Sequence, residues 1–354
     1  MSVYGATLGI GAGELLLDDI PGFFNSEAIK DFSFFSSTTY AIDDDNVVYE
    51  SADGLSFSEN SSIPITMVSP QRIIWSSDYL VVQGQDGSSN TKIEIFDTDL
   101  ILFDTLTFSA ALAVINFWNI AFSSTHMLIA GGKYYAPALA SRSYFYLYRL
   151  SDGNVTDAID TNYFSAYSVA CVNNVFVAYV LTPGSTPDNI RSTNGLTWTA
   201  LNNGRGKVIA LDGQFINFPY SGSSTTLQIS TDGLTWENIT PVFNIEPTEA
   251  IFDNIGKNGD KYVMITASED SLEVYESDDL IYWVQVEAIP AGITTTGYDG
   301  KEHWYSGGGN YVSYYLLDEN EDEYYRTYSY TADTDITTVA TITSGSYDFA
   351  QSPL

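Results

Sequence analysis

The chain has 354 residues, with 13 Lys and Arg against 45 Asp and Glu, a formal charge of −32 at pH 7. Such a field repels phosphates and anionic lipid heads, which excludes a general nucleic-acid or membrane-surface role. Hydrophobic residues at 44% and aromatics at 14% suffice for a packed core, while a single Cys, Cys171, and two His, His126 and His303, exclude a disulfide framework and leave little for zinc or histidine catalysis.

Residues 1–29 read as an N-terminal arm. The apolar run in Met1–Gly22 has no Lys or Arg before it and carries Glu14, Asp18 and Asp19, so it is not read as a secretory signal. Gly9, Gly11 and Gly13 lack the spacing of a dinucleotide fingerprint. Nowhere does the chain reach the roughly 18 uncharged apolar residues of a membrane-spanning helix. Residues 30–343 carry a repeat, and 344–354 read as a tail or closing segment.

Seven copies of one short box recur along that region. In chain order they are SADGLSF around Asp53, DTDLILF around Asp99, LSDGNVT around Asp152, STNGLTW around Asn194, STDGLTW around Asp232, SDDLIYW around Asp279 and TADTDIT around Asp333. Their separations of 46, 53, 42, 38, 47 and 54 residues lie near the roughly 40–50 residues of a four-stranded propeller blade. A second mark precedes the boxes: turn residues followed by apolar segments in DYLVVQ, THMLIA, NVFVAY, GQFINF, DKYVMI and KEHWYS, each read as the second strand of a blade. The cleanest unit reads KVIAL, QFINF, TLQIS and LTWENI as strands A to D, with Asp212-Gly213 and Asp232-Gly233 at turns that need positive φ. No helix-period segment interrupts the series. The expectation is an all-β, seven-bladed propeller of four-stranded antiparallel blades, with Trp198, Trp236 and Trp283 at equivalent places.

The boxes resemble the Asp-box, or bacterial neuraminidase repeat, Ser-x-Asp-x-Gly-x-Thr-Trp, although the strong copies here are one residue shorter between Asp and Trp. That resemblance implies structural roles for Asp53, Asp99, Asp152, Asn194, Asp232, Asp279 and Asp333, on a turn face away from the ligand face. Kelch-like doublets, Gly131-Gly132 and Gly307-Gly308-Gly309, mark only two blades, and no Gly-His with Trp-Asp signature occurs.

Blades 3 and 7 are the long ones, with their excess placed between strands B and C, in Gly131–Ser143 and Ser306–Tyr325. Facing each other across the axis, these extensions would offer Tyr134, Tyr135, Trp304, Tyr311 and Tyr314 to a sugar or a protein partner. The alternative is that they prolong strands B and C into a hairpin. The acidic runs Asp43-Asp44-Asp45 and Asp318–Glu323 read as solvated turn tips rather than calcium loops.

A sialidase would need an arginine cluster. Arg149 and Arg191 adjoin boxes and Arg326 falls in a strand, leaving Arg72, Arg142 and Arg205, without the pattern that opens sialidase domains. Cys171, in SVACV, reads as a buried strand thiol. The composition, rich in Ser, Thr, Asn, Tyr and Gly, resembles that of bacteriophage tail proteins. The functional expectation is therefore a non-enzymatic virion module, contacting other tail proteins or a host-surface carbohydrate. The alternatives are an extracellular bacterial glycan-binding propeller and, third, a sialidase-like hydrolase. No cofactor, metal, nucleic acid or membrane insertion is expected.

Overall fold

The computed structural model describes residues 29–35, 38–43, 45–52, 58–76, 78–108, 115–135, 140–157, 165–181, 187–202, 206–218, 226–245, 255–258, 261–268, 271–288, 304–306, 311–317, 323–329 and 334–336. Their β-branched and aromatic residues form strands that pair with the next strand in sequence. The first sheet holds β1 (Ile29–Phe35), β2 (Thr38–Asp43), β3 (Val48–Ser51) and β4 (Ser58–Glu59). The second holds β5 (Ser69–Trp75), β6 (Tyr79–Gln85), β7 (Thr91–Asp97) and β8 (Leu102–Phe108). The third holds β9 (Ile115–Phe122), β10 (His126–Tyr135), β11 (Ala140–Arg149) and β12 (Val155–Asp157). The fourth holds β13 (Ser165–Val172), β14 (Val175–Leu181), β15 (Pro187–Ser192) and β16 (Thr199–Ala200). In the fifth are β17 (Val208–Leu211), β18 (Gln214–Asn217), β19 (Leu227–Ser230) and β20 (Glu237–Ile239). The sixth contains β21 (Val242–Phe243), β22 (Ile255–Asn258), β23 (Lys261–Ser268), β24 (Ser271–Ser277) and β25 (Tyr282–Ala288). The last contains β26 (Trp304–Ser306), β27 (Tyr311–Leu317), β28 (Glu323–Ser329) and β29 (Thr334–Ile336).

The expectation of seven four-stranded antiparallel blades is corrected here. Six sheets, not seven, have that form; the sixth sheet has five strands in the order β21-β25-β24-β23-β22, with β21 parallel to β25. The physical cause lies in the connector after Trp236. Val242 N donates to Ile281 O at 2.7 Å and Asn244 N to Trp283 O at 3.0 Å, so the open edge of β25 is covered by a passing segment. Phe243 then packs its ring on Tyr275, 5.1 Å between centroids.

First strands of successive sheets lie side by side, β1 by β5, β9 by β13 and β13 by β17, and β1 also lies beside β26. Core clusters form between neighbouring sheets. Ile74, Val81, Ile93, Ile95 and Leu106 of the second sheet meet Met127, Ile129, Tyr146 and Tyr148 of the third. Ile209, Leu211, Ile216 and Phe218 of the fifth meet Met264, Tyr275, Leu280 and Trp283 of the sixth. A sheet with neighbours on both sides buries both faces, so β6 and β14 each bury five consecutive residues instead of alternating. At roughly 1.5–3 kcal/mol for each large apolar side chain withdrawn from water, these inter-sheet layers dominate the stability.

The second-strand readings hold for β6, β10, β14, β18 and β23, but not in the last sheet. Trp304–Ser306 is the first strand there, paired with β27, and Tyr311–Leu317 is the second. The Gly131–Ser143 extension is a hairpin, since β10 and β11 pair from His126↔Arg149 to Tyr135↔Ala140. Cys171 lies on β13, half-buried, its thiol pushed up to about 12 by burial.

Candidate functional site

The boxes around Asp99, Asp152, Asn194 and Asp232 join the third and fourth strands of their sheets and the one around Asp279 joins β24 to β25, and in three of them the polar atoms are placed alike. Asp232 Oδ1 accepts from Leu234 N and Thr235 N, both at 2.8 Å, while Ser230 Oγ accepts from Gly233 N at 2.8 Å. Asn194 Oδ1 accepts from Leu196 N at 2.9 Å and Thr197 N at 2.8 Å, with Ser192 Oγ on Gly195 N at 2.9 Å. Asp279 Oδ1 accepts from Ile281 N and Tyr282 N at 2.8 and 2.9 Å. These backbone donors hold the Asp232 and Asp279 carboxyls below the ordinary Asp range.

The box glycine has two reasons. Gly195 and Gly233 adopt φ of +71° and +67°, and a Cβ there would lie 2.5 Å from Leu147 Cδ1 and 2.7 Å from Val177 Cγ2, both on the preceding sheet. At the Asp279 box Leu280 takes φ +65° and buries its side chain in the inter-sheet core. The box tryptophans pack between sheets: Trp198 stacks on Phe145 at 4.4 Å, Trp236 lies 6.2 Å from Phe215, and Trp283 is fully buried. Trp283 Nε1 donates to Leu280 O, whereas the buried Nε1 atoms of Trp198 and Trp236 have no hydrogen-bond partner among the described residues.

Two copies depart from this arrangement. In the second sheet it is Asp97, rather than Asp99, whose Oδ1 accepts from Asp99 N and Ile101 N. In the third sheet Asp152 accepts from Asn154 N at 3.1 Å and Nδ2 at 2.7 Å, and from Arg149 Nη1 at 2.9 Å. Asp53 and Asp333 lie outside the described residues.

Side-chain bonds join successive sheets near these turns. Tyr148 OH donates to Asp104 Oδ2 at 2.7 Å, Tyr262 OH to Asp212 Oδ2 at 2.9 Å, Ser124 N and Oγ to Asn174 Oδ1 at 2.8 Å, and Arg191 Nε to Asp232 O at 2.8 Å. Burial, followed by the bond to Asp212, pushes the Tyr262 phenol up to about 12, so it stays a neutral donor.

Beside the divergent box of the third sheet is a groove of about 460 Å³. Asp78 and Tyr79 come from the first turn of the second sheet, Ser124, Thr125 and His126 from the corresponding turn of the third, Arg149 from the end of β11, and Leu150 and Ser151 from the divergent box that follows it. His126 Nδ1 lies 2.8 Å from Thr125 Oγ1. Burial, then the Arg149 charge, holds the imidazole below its ordinary pKa, with Asp152 opposing. Tyr79 packs on Phe103, 5.5 Å between centroids, and Phe103 is exposed, as are the preceding residues Leu102 and Ile101.

Of the aromatic residues expected to bind, Tyr134 and Tyr135 lie on β10, Trp304 on β26, and Tyr311 and Tyr314 on β27, with Tyr314 opposite Trp304. Their side chains lie outside the described residues. Of the candidate arginines, Arg72 is buried on β5. Sequence reasoning missed the groove because its residues come from turns of two sheets. The signal available was the LSDGNVT box itself, which lacks the Thr and Trp of the strong copies.

No protein-family model matches the chain, and no curated protein matches it in sequence. Solved structures do. The chain is similar to the β-propeller domain of the Trilobed protease from Pyrococcus furiosus, described as having an open velcro topology, at 13% identity over 86% of this chain and 96% of that one, with a TM-score of 0.53. It is similar to a prolyl endopeptidase at 12% identity over 92% of this chain and 51% of that one, TM-score 0.58. Pyrococcus horikoshii acylaminoacyl peptidase follows at 11% over 92% and 54%, TM-score 0.55.

The chain is a β-propeller. At these identities the likeness shows the fold alone, and the chain spans about half the length of the latter two peptidases. The expectation of a bacteriophage virion module, with its glycan-binding and sialidase-like alternatives, is corrected here: the solved structures that the chain is similar to are the β-propeller domain of a protease, a prolyl endopeptidase and an acylaminoacyl peptidase. The composition behind that expectation has a simpler source. In this chain Ser, Asn, Gly and Tyr serve the box turns and the bonds between sheets.

Proposed function

We propose that the chain is a non-catalytic β-propeller of the Asp-box type, a rigid ring that acts by non-covalent binding at its surface. The observation that carries this reading is the use made of the recurring polar residues. In the three regular boxes the Ser hydroxyl and the Asp or Asn oxygen are engaged with backbone N–H groups of their own turn, which leaves them tied as structural acceptors. Cys171, the chain's single cysteine, points the same way: burial pushes its thiol up to about 12, so it is protonated at neutral pH.

The test is labelling of the intact chain with a fluorophosphonate and with iodoacetamide at neutral pH, beside turnover assays on peptide and glycoside substrates. The expected result is no fluorophosphonate adduct, slow alkylation of Cys171 and no turnover. Stoichiometric fluorophosphonate labelling, or turnover abolished by a single substitution, contradicts the proposal.

A further inference from the structure

We propose that the groove between the second and third sheets is a binding site for a singly charged carboxylate attached to an apolar group. The site is built from two walls. On one, Arg149 and His126 supply nitrogen donors. Asp152 is the partner of the guanidinium among the described residues, through Nη1 alone, so the planar fork keeps further N–H groups for a ligand. Thr125 holds the imidazole through Nδ1, which leaves Nε2 as the ring atom for a ligand. On the other wall the Tyr79 ring packs on Phe103, which is 46% exposed. An apolar group there covers surface that otherwise faces water, at a gain of roughly 25 cal/mol per Å².

Charge sets the class of anion. Asp78 lines the same groove and Asp152 sits against Arg149, within a chain of net charge −32. Two acidic neighbours and that field oppose a dianion such as phosphate, while one carboxylate is matched by one guanidinium and one imidazole. The divergence of this box fits the same account: Asp152 Oδ2 accepts from Arg149 and so fixes the guanidinium at the groove, where in the regular box Asp232 Oδ1 accepts from two backbone N–H groups and the Ser230 hydroxyl of its own turn. The charged and titratable groups around His126 are Arg149 from the end of β11, Asp152 from the box, and Asp78 and Tyr79 from the second sheet. A bound carboxylate favours the imidazolium, so binding takes up a proton and strengthens as pH falls from 8 towards 6.

Two sources carry this chemistry, a free aryl or alkyl carboxylic acid and the C-terminus of a peptide. Calorimetric titration of the full chain with N-acetylphenylalanine and N-acetylphenylalaninamide, and with a tetrapeptide ending in Phe as free acid and as amide, separates them. The acids are expected to bind with saturation, about tenfold or more tighter than the matching amides, more tightly at pH 6 than at pH 8, and about tenfold weaker in Arg149→Gln. Tighter binding of the tetrapeptide acid than of N-acetylphenylalanine assigns a peptide terminus; equal affinity assigns the free acid. Equal binding of acid and amide, affinity unchanged in Arg149→Gln, or no saturable binding by either acid overturns the proposal. His126→Gln supplies a second check, since it should remove the pH dependence while keeping the preference for acid over amide.

Discussion

At the box turns, one backbone conformation is served by two different residues. Gly195 and Gly233 reach positive φ without strain, whereas Leu280 does so at a conformational cost of roughly 1–2 kcal/mol. Leu280 repays that cost by filling the layer between the fifth and sixth sheets, where truncating a buried Leu typically costs ~2–5 kcal/mol. Burial is the larger effect, so Leu280→Gly should destabilise the chain despite relieving the backbone. Gly195→Ala should also destabilise, by ~1–3 kcal/mol, because the new Cβ meets both the φ penalty and Leu147. Urea denaturation of the two variants checks both signs, and a more stable Leu280→Gly would show that the turn, not the core, decides this position. The acid limb follows from the same turns. The Thr235 and Leu234 N–H groups depress the Asp232 pKa, so its contribution is complete above the ordinary Asp value of about 4 and is lost as pH falls through the depressed one. Asn194 performs the same role without titrating. Asp232→Asn should therefore lose less stability between pH 6 and pH 3 than the parent chain, as read from urea midpoints at the two pH values.

Among the elements, the five-stranded sheet is the one that local sequence rules do not reach. Box turns are legible because Asx oxygens, Gly and a following aromatic are required at fixed spacing. The strand runs LVVQ and VFVAYV are legible because two neighbouring sheets demand apolar residues on both faces. β21 is two residues long, follows Pro241 and is defined by the edge it covers, so no periodicity announces it. Trp304–Ser306 was equally opaque, since a short first strand and a short second strand look alike until their partners are known. The groove lies beyond such rules for another reason: Tyr79 and Arg149 are brought together by sheet packing, not by spacing. Phe243 anchors β21 through Tyr275. Phe243→Ala is expected to speed amide exchange at Val242 and Asn244, whose bonds to Ile281 and Trp283 close the strand pair, while amides of β18 and β23 keep their protection. Loss of protection throughout the fifth and sixth sheets would instead make β21 part of the global fold.

Across the whole molecule, each described sheet is built from one contiguous stretch of chain, and no described sheet mixes strands from both ends. Neighbours are therefore joined by side chains: apolar layers, Tyr-to-Asp bonds and box residues that reach the preceding sheet. The central claim is that the recurring Asp, Asn and Ser residues serve this architecture by holding surface turns rigid. Amide hydrogen exchange measured residue by residue by NMR tests it most directly. Leu196, Thr197, Leu234, Thr235, Ile281 and Tyr282 lie in surface turns, yet their N–H groups are bonded to box side chains. The expected result is protection at all six, lost at Leu234 and Thr235 alone in Asp232→Ala. Exchange at these amides as fast as in an unstructured loop, in the unaltered chain, would contradict the account.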